Sequence, residues 1–209
     1  MSVTKLVQQY IAERSSIKDC LKRGLVNYSA LSREICKSAG TRQFDAVLKA
    51  CRRHAQRIAG QPAHERRIMS LIRKARMRMT NKIIVAIAEK PRDFERLYTL
   101  QRDERKRGAD FQLIEGNQAV VVIAVSDAEE TVRDVLRGRI KKVSRGLVQI
   151  AMQFDERIES THGVVSFVYG LLAEHGINVL EEMSCWTDLM IVIAEKDAAK
   201  AMLVLGRVE

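Results

Sequence analysis

The feature that most restricts how this chain can fold is an internal repeat. Val121-Val122-Ile123-Ala124 precedes Asp127-Ala128, and 70 residues later Ile191-Val192-Ile193-Ala194 precedes Asp197-Ala198. Each copy reads as a short apolar strand, a polar turn and an Asp N-cap opening a helix. Asp127 with Glu130 three residues on has the form of a capping box. Val132, Val135 and Leu136 match Met202 and Leu205 as the buried helical face. Upstream, at an offset of 68, Gly108-Ala109-Asp110-Phe111 corresponds to Gly176-Ile177-Asn178-Val179. Each glycine there ends a helix and starts a strand.

The remaining elements follow the same order. Residues 82–88 and 147–154 are apolar strands. A helix from Pro91, an N1 residue, carries Phe94, Leu97 and Tyr98. A second helix after His162 carries Val164, Val165, Val168, Leu171 and Leu172. Residues 140–143 are a candidate closing strand for the first unit. Strand, helix, strand, strand, helix, read twice, predicts an α+β fold of two ferredoxin-like βαββα units. Each is a small antiparallel sheet with helices on one face. One such unit has a marginal core, so the two are expected to pair.

The residues ahead of the repeat read as helices. Val3, Leu6, Val7, Tyr10 and Ile11 recur at helical spacing. Ser15-Ser16 is the expected N-cap of a short segment stopped by Gly24, and Asn27 caps the next, which ends at Gly40. Thr41 is expected to cap a longer helix stopped by Gly60-Gln61-Pro62. Phe44, Val47, Leu48, Cys51, Ala55 and Ile58 form its apolar stripe. Beyond it, Arg76, Met77, Arg78 and Met79 alternate basic and apolar, as a strand or wing beside the helices would.

Charge is divided along the same lines. The chain has 209 residues, with 36 Lys+Arg against 26 Asp+Glu, net +10. Residues 1–80 carry 18 basic and 5 acidic residues, residues 81–146 carry 14 and 11, and residues 147–209 carry 4 and 10. We therefore expect three parts: a basic helical head (1–80) and two units (81–146 and 147–209). A basic head and an acidic tail suit different partners. Helix, glycine turn, then helix with a basic outer face is the helix-turn-helix pattern, and double-stranded DNA is the candidate partner. Arg42 and Gln43 would stand near base edges, and Lys49, Arg52, Arg53 and Arg57 would neutralise phosphates. The same residues equally suit a solvated basic face on a small bundle.

Other classes find little support. Cys20, Cys36, Cys51 and Cys185 form no C-x-x-C pair, so free thiols and no metal site are expected. No P-loop, dinucleotide fingerprint or nucleophile elbow occurs, so neither catalysis nor a cofactor is expected. Asp155, Glu156 and Glu159 read as a solvated loop. The N-terminus has no signal-type apolar core, and the uncharged stretch 160–173 is shorter than the roughly 20 residues of a membrane span. A cytoplasmic protein without a membrane partner is expected.

The C-terminal unit resembles the ACT domain, most closely the type at the regulatory end of aspartate kinases. The resemblance is carried by Ser160-Thr161-His162-Gly163-Val164-Val165, by Leu171-Leu172-Ala173-Glu174-His175-Gly176-Ile177-Asn178-Val179, by Met190-Ile191-Val192-Ile193 and by Asp197-Ala198-Ala199-Lys200-Ala201. Residues 81–146 resemble it more weakly, as a degenerate ACT-like unit. Lys90-Pro91-Arg92-Asp93 there has no Gly at the corresponding turn. The resemblance implies a regulatory module that binds a small effector, commonly an amino acid, between paired domains, and hence a homodimer or higher homo-oligomer. The ligand contacts it implies are Thr161, His162, Gly163, Val164 and Val165, with Ile177, Asn178 and Val179. Gly163 at a helix start lets backbone N–H groups approach a carboxylate. Together these readings predict an amino-acid-responsive regulator that acts on transcription. The alternative is a regulatory subunit or interaction module of a metabolic enzyme that does not touch DNA.

Overall fold

The computed structural model describes residues 2–59 and 62–207. It divides into two compact units, Met1–Arg67 and Ile68–Glu209. The first is helical: α1 (Val3–Ala12), α2 (Ser15–Lys22), α3 (Tyr28–Ala39), α4 (Phe44–Ile58) and the start of α5 (Pro62–Lys74). Its core is the stripe set by periodicity, with Val7, Ile11, Leu21, Ile35, Val47 and Cys51 buried. Asn27 caps α3 by accepting the Ala30 N–H at 3.0 Å, and Gly40 closes it at φ 62°. Two caps differ from expectation. The α2 helix begins at Ser15 itself, after Arg14, with no side-chain cap. Thr41 lies outside α4 and accepts the Gln43 N–H at 3.3 Å. Of the expected stop, Gly60 and Gln61 lie outside the described residues, and Pro62 opens α5, where its missing N–H costs nothing.

The second unit is one six-stranded antiparallel sheet in the order β2-β3-β1-β4-β6-β5. Its strands are β1 (Arg76–Glu89), β2 (Phe111–Glu115), β3 (Ala119–Val125), β4 (Ile140–Gln153), β5 (Val179–Cys185) and β6 (Asp188–Ala194). Four helices, α6 (Glu95–Lys106), α7 (Glu129–Val135), α8 (Val164–Glu174) and α9 (Ala198–Gly206), cover one face. Both copies of the β-α-β-β-α order are present.

The copies are not, however, separate beads. The strands β1 and β4 are each 14 residues long and continuous. The first half of β1 pairs with the second half of β4 (Met77 with Met152, Thr80 with Gln149). The second half of β1 pairs with the first half of β4 (Val85 with Ser144, Ala86 with Val143). Residues 76–80 thus supply the fourth strand of the C-terminal half-sheet, and residues 140–144 that of the other. The basic–apolar run 76–79 is therefore sheet, and the units divide after Arg67, ahead of the boundary expected at residue 80. Apolar alternation shows that a segment is a strand but not which partner it finds.

The register also adjusts the repeat. Ile83 faces Val125, and Leu147 faces Ala194. Residue 125 therefore matches residue 194, an offset of 69 rather than 70. Ile123 matches Val192, both buried on the face away from the helices. A one-residue slip exchanges the two faces of a strand, and the apolar tetrapeptides alone read equally well either way. Two helix starts also differ from expectation. Asp127 lies in a 3-10 turn (Ser126–Ala128) and caps nothing, and α7 begins at Glu129. In the other helix, Pro91 lies ahead of α6, which starts at Glu95, whose N–H the Asp93 carboxylate accepts at 2.9 Å. Tyr98 is exposed and stacks on Phe94.

On the helix side, Ile84, Leu97, Phe111 and Leu136 centre one core, and Ile72, Ile150, Leu172 and Ile191 the other. On the opposite face, Ile83, Val85, Ile123, Leu147 and Val192 are also buried, in a cluster with no helical member. The sheet curls around this cluster, as twisted antiparallel sheets do. Lys82 (φ 54°) and Gly146 (φ 65°) stand at matching points of β1 and β4, where the register shifts. Beside the second, Glu129 accepts hydrogen bonds from Arg145 and, at 2.7 Å, from Arg133. These hold its carboxyl down at about 2 and tie the bend of β4 to α7.

Two predictions follow from the bends. Lys82→Gly relieves a left-handed side chain and raises stability by up to about 1 kcal/mol, while Gly146→Ala lowers it by about 1 kcal/mol. Urea denaturation measures both. The Glu129 carboxyl lies below its ordinary 4.5 in the folded state. Its contribution is therefore complete above that value and is lost as the pH falls through it toward about 2. Glu129→Gln should flatten the acid limb of the melting temperature over that window.

Candidate ligand and nucleic-acid sites

The eight residues implied as ligand contacts fall into two groups at opposite ends of α8. Both β4 and β5 run antiparallel to β6, so they run in the same direction. The loop after β4, with residues 155–163, therefore lies at the end where β5 finishes, and the Phe154 N–H donates to the Thr187 carbonyl there at 2.9 Å. Ile177, Asn178 and Val179 lie where β5 begins. The 11-residue α8, which begins with Val164 and Val165 of the first group, spans roughly 16 Å toward the second. A single copy of the chain does not bring the two groups together.

Within the first group, roles divide by burial. Thr161 is buried, and its hydroxyl donates to the Arg157 carbonyl at 2.7 Å. Val164 points into the core. Gly163 holds φ 90° ahead of α8, and a Cβ there would lie 3.5 Å from Ile68. His162 and Gly163 are exposed, and Val165 is half-buried. In the second group Ile177 is buried and its N–H donates to the Leu172 carbonyl, while Asn178 is exposed.

Around the second group lies a groove of about 600 Å³ along the edge strand β5. It is lined by Ile177, Asn178 and Val179, and also by Tyr169, Glu181 and Glu182. Spacing did not single out these last three, because Tyr169 sits on α8 and meets the glutamates only across the helix–sheet gap. The Tyr169 hydroxyl is buried without a hydrogen bond among the described residues. Desolvation, then the charge of the nearby Glu182, pushes it up to about 12. Burial likewise pushes the Glu181 carboxyl up. The groove therefore combines an apolar wall, an amide and two acidic groups.

In the helical unit, Arg42 and Gln43 precede α4, and Lys49, Arg52, Arg53 and Arg57 lie on its outer surface, all exposed. At 100° per residue Lys49, Arg52, Arg53 and Arg57 occupy one face of α4. Arg53 donates to the Thr4 hydroxyl at 2.9 Å, and Arg57 lies 3.1 Å from His54 Nδ1. None of the five cations has an ion pair among the described residues. Burial, Arg57 and Lys18 together lower the His54 imidazole. Gly40 and the three residues after it form the tight link between α3 and α4. Among the described residues no His/Cys/Asp/Glu cluster is placed to hold a metal, and no helix is long and apolar enough to cross a membrane.

Comparison with known proteins gives a fold. No family model and no curated protein sequence matches the chain. Among solved structures it is similar to aspartate kinase from Clostridium acetobutylicum, with TM-score 0.51 and 10% identity, covering 63% of this chain and 34% of that one. It is also similar to the regulatory subunit of aspartate kinase from Thermus thermophilus in its ligand-free form, with TM-score 0.50 and 13% identity over 65% of this chain and 97% of that one. A structure of aspartokinase alpha and beta subunits gives TM-score 0.51 and 14% identity, over 66% and 94%. The chain thus spans about a third of the Clostridium enzyme and nearly all of the Thermus subunit. The mixed fold, a curled antiparallel sheet with helices, is similar to that of these aspartate kinase regulatory structures.

The burial of Thr161 gives its hydroxyl a measurable weight in folding. Thr161→Val leaves the Arg157 carbonyl without this donor and should lower unfolding free energy by about 1 kcal/mol, read from chemical denaturation.

Proposed function

We propose that the protein is an amino-acid-responsive regulator that works as a homodimer, its second unit sensing the ligand and its basic helical unit binding double-stranded DNA. The observation that carries the sensing role is the division of the candidate contacts between the two ends of α8. The unpaired edge of β5 offers a template for another strand. If two copies join β5 to β5 antiparallel, the start of each strand meets the end of its neighbour. His162 and Gly163 of one copy then approach Asn178 of the other, twice per dimer. Backbone N–H groups at Gly163 suit a carboxylate, and the Asn178 amide and Glu181 suit an ammonium.

The DNA role rests on α4. Residues 1–67 hold 14 basic and 5 acidic residues, and the exposed cations of α4 have no acidic partner among the described residues. Such a face neutralises phosphates by releasing counterions. A second reading is favoured by one comparison. The Thermus structure is that of a regulatory subunit, so a subunit docked on a metabolic enzyme through the same sheet accounts for the second unit without DNA.

Sedimentation equilibrium with and without each of the twenty amino acids, joined to duplex-binding anisotropy across a salt series, tests the proposal. One amino acid should strengthen the dimer, and Asn178→Ala should abolish that effect. Duplex affinity should fall steeply with salt and vanish in the Arg52→Glu, Arg53→Glu, Arg57→Glu triple variant. No duplex binding at low salt overturns the transcriptional role and leaves the enzyme-subunit reading.

A further inference from the structure

The face of the sheet away from the helices differs between the two halves of the repeat, and the difference opens a cavity. The register places Lys142, Ile87 and Val121 side by side in the first half. The matching row of the second half is Arg78, Ala151 and Met190. One row further out stand Arg76, Gln153 and Asp188. Where the first half has the bulky Ile87, the second has Ala151. A cavity of about 300 Å³ lies over that alanine, lined by Arg76, Arg78, Ala151, Gln153, Asp188 and Met190, with Met77. On the same face one row inward, Gln149 takes the place of the apolar Val85. Gln149 is 1% exposed, and its Nε2 has no hydrogen-bond partner among the described residues. Apolar packing at these positions would suffice for folding, as the first half demonstrates.

The charges around the cavity are only partly compensated. Arg78 is held by Asp110 at 2.9 Å, whose other oxygen accepts from Thr80 at 2.7 Å. Arg76 and Asp188, by contrast, make no ion pair among the described residues. They stand two strands apart, about 10 Å at the backbone, with Gln153 between them. An open cation and an open anion on either side of Gln153, beside the apolar floor of Ala151 and Met190, match a molecule that carries both charges and a hydrocarbon group.

From this arrangement we infer that the cavity is a binding site for an aliphatic α-amino acid. Its carboxylate faces Arg76, with Arg78 behind, and its ammonium group faces Asp188. Its side chain lies over Ala151 and Met190. The site shares no lining residue with the β5 groove, lies within one copy of the chain, and does not rest on the paired-edge reading.

Isothermal calorimetry on the full chain tests this with L-valine, L-leucine and L-methionine as probes, and with acetate and methylammonium as single-charge controls. At least one amino acid should bind with the controls silent. Arg76→Gln and Asp188→Asn should each weaken it by about tenfold or more. Ala151→Ile, which copies the first half of the repeat, should abolish binding by filling the cavity. Asn178→Ala, at the β5 groove, should leave the affinity within about twofold. Absence of binding by all three amino acids overturns the inference. So does binding that survives both charge variants, or that is lost in Asn178→Ala while surviving Arg76→Gln. Thermal melts of Arg76→Gln and Asp188→Asn matching the wild type show that loss of binding is not loss of fold.

Discussion

The antiparallel pairing of β1 with β4 is the interaction on which the rest of the second unit depends. Neither half-sheet has four strands of its own. Each borrows one from the other half through a 14-residue strand that serves both. Half-sheets of three strands would have an unpaired central edge and a small core, which is marginal at this size. Exchanging strand halves removes both edges at once and makes the two copies fold as one body. The bends at Lys82 and Gly146 then let the continuous sheet curl, burying a second apolar cluster on the face that carries no helix.

That architecture leaves two free edges, β2 and β5, at the ends of the sheet. The β2 strand has 5 residues and β5 has 7, so β5 offers the longer template. The groove with Tyr169, Asn178 and Glu182 runs along this same edge. The cavity over Ala151 has a different origin. It comes from a difference between the repeat's halves: Ala151 stands where the first half has Ile87, and Gln149 where it has Val85.

Much of the fold was legible in the chain. The repeat, the order of elements and the basic face of α4 all follow from local periodicity, which depends on 3.6- and 2-residue spacings. Lys49, Arg52, Arg53 and Arg57 are exposed on α4 where helical geometry puts them, and Arg42 and Gln43 are exposed just ahead of it. The misplaced starts, at Pro91, Asp127 and Ser15, are helix ends, where a turn of 3-10 geometry or an uncapped entry competes closely with an ideal cap. Tyr169, Glu181 and Asp188 were not legible as groove or cavity residues. Their partners lie on other elements, and no spacing along the chain records a contact across a sheet.

The sequence by itself determined that two β-α-β-β-α copies follow a basic helical head, because apolar periodicity and glycine turns are local properties. It determined the surface of α4 for the same reason. The tertiary structure alone decided that the repeat offset in β3 and β6 is 69, that residues 76–80 belong to the sheet, and that the implied ligand contacts stand at opposite ends of α8. These are matters of register and partner choice. A strand's alternation is satisfied by any partner that covers its apolar face, and only the packing of the whole sheet selects one.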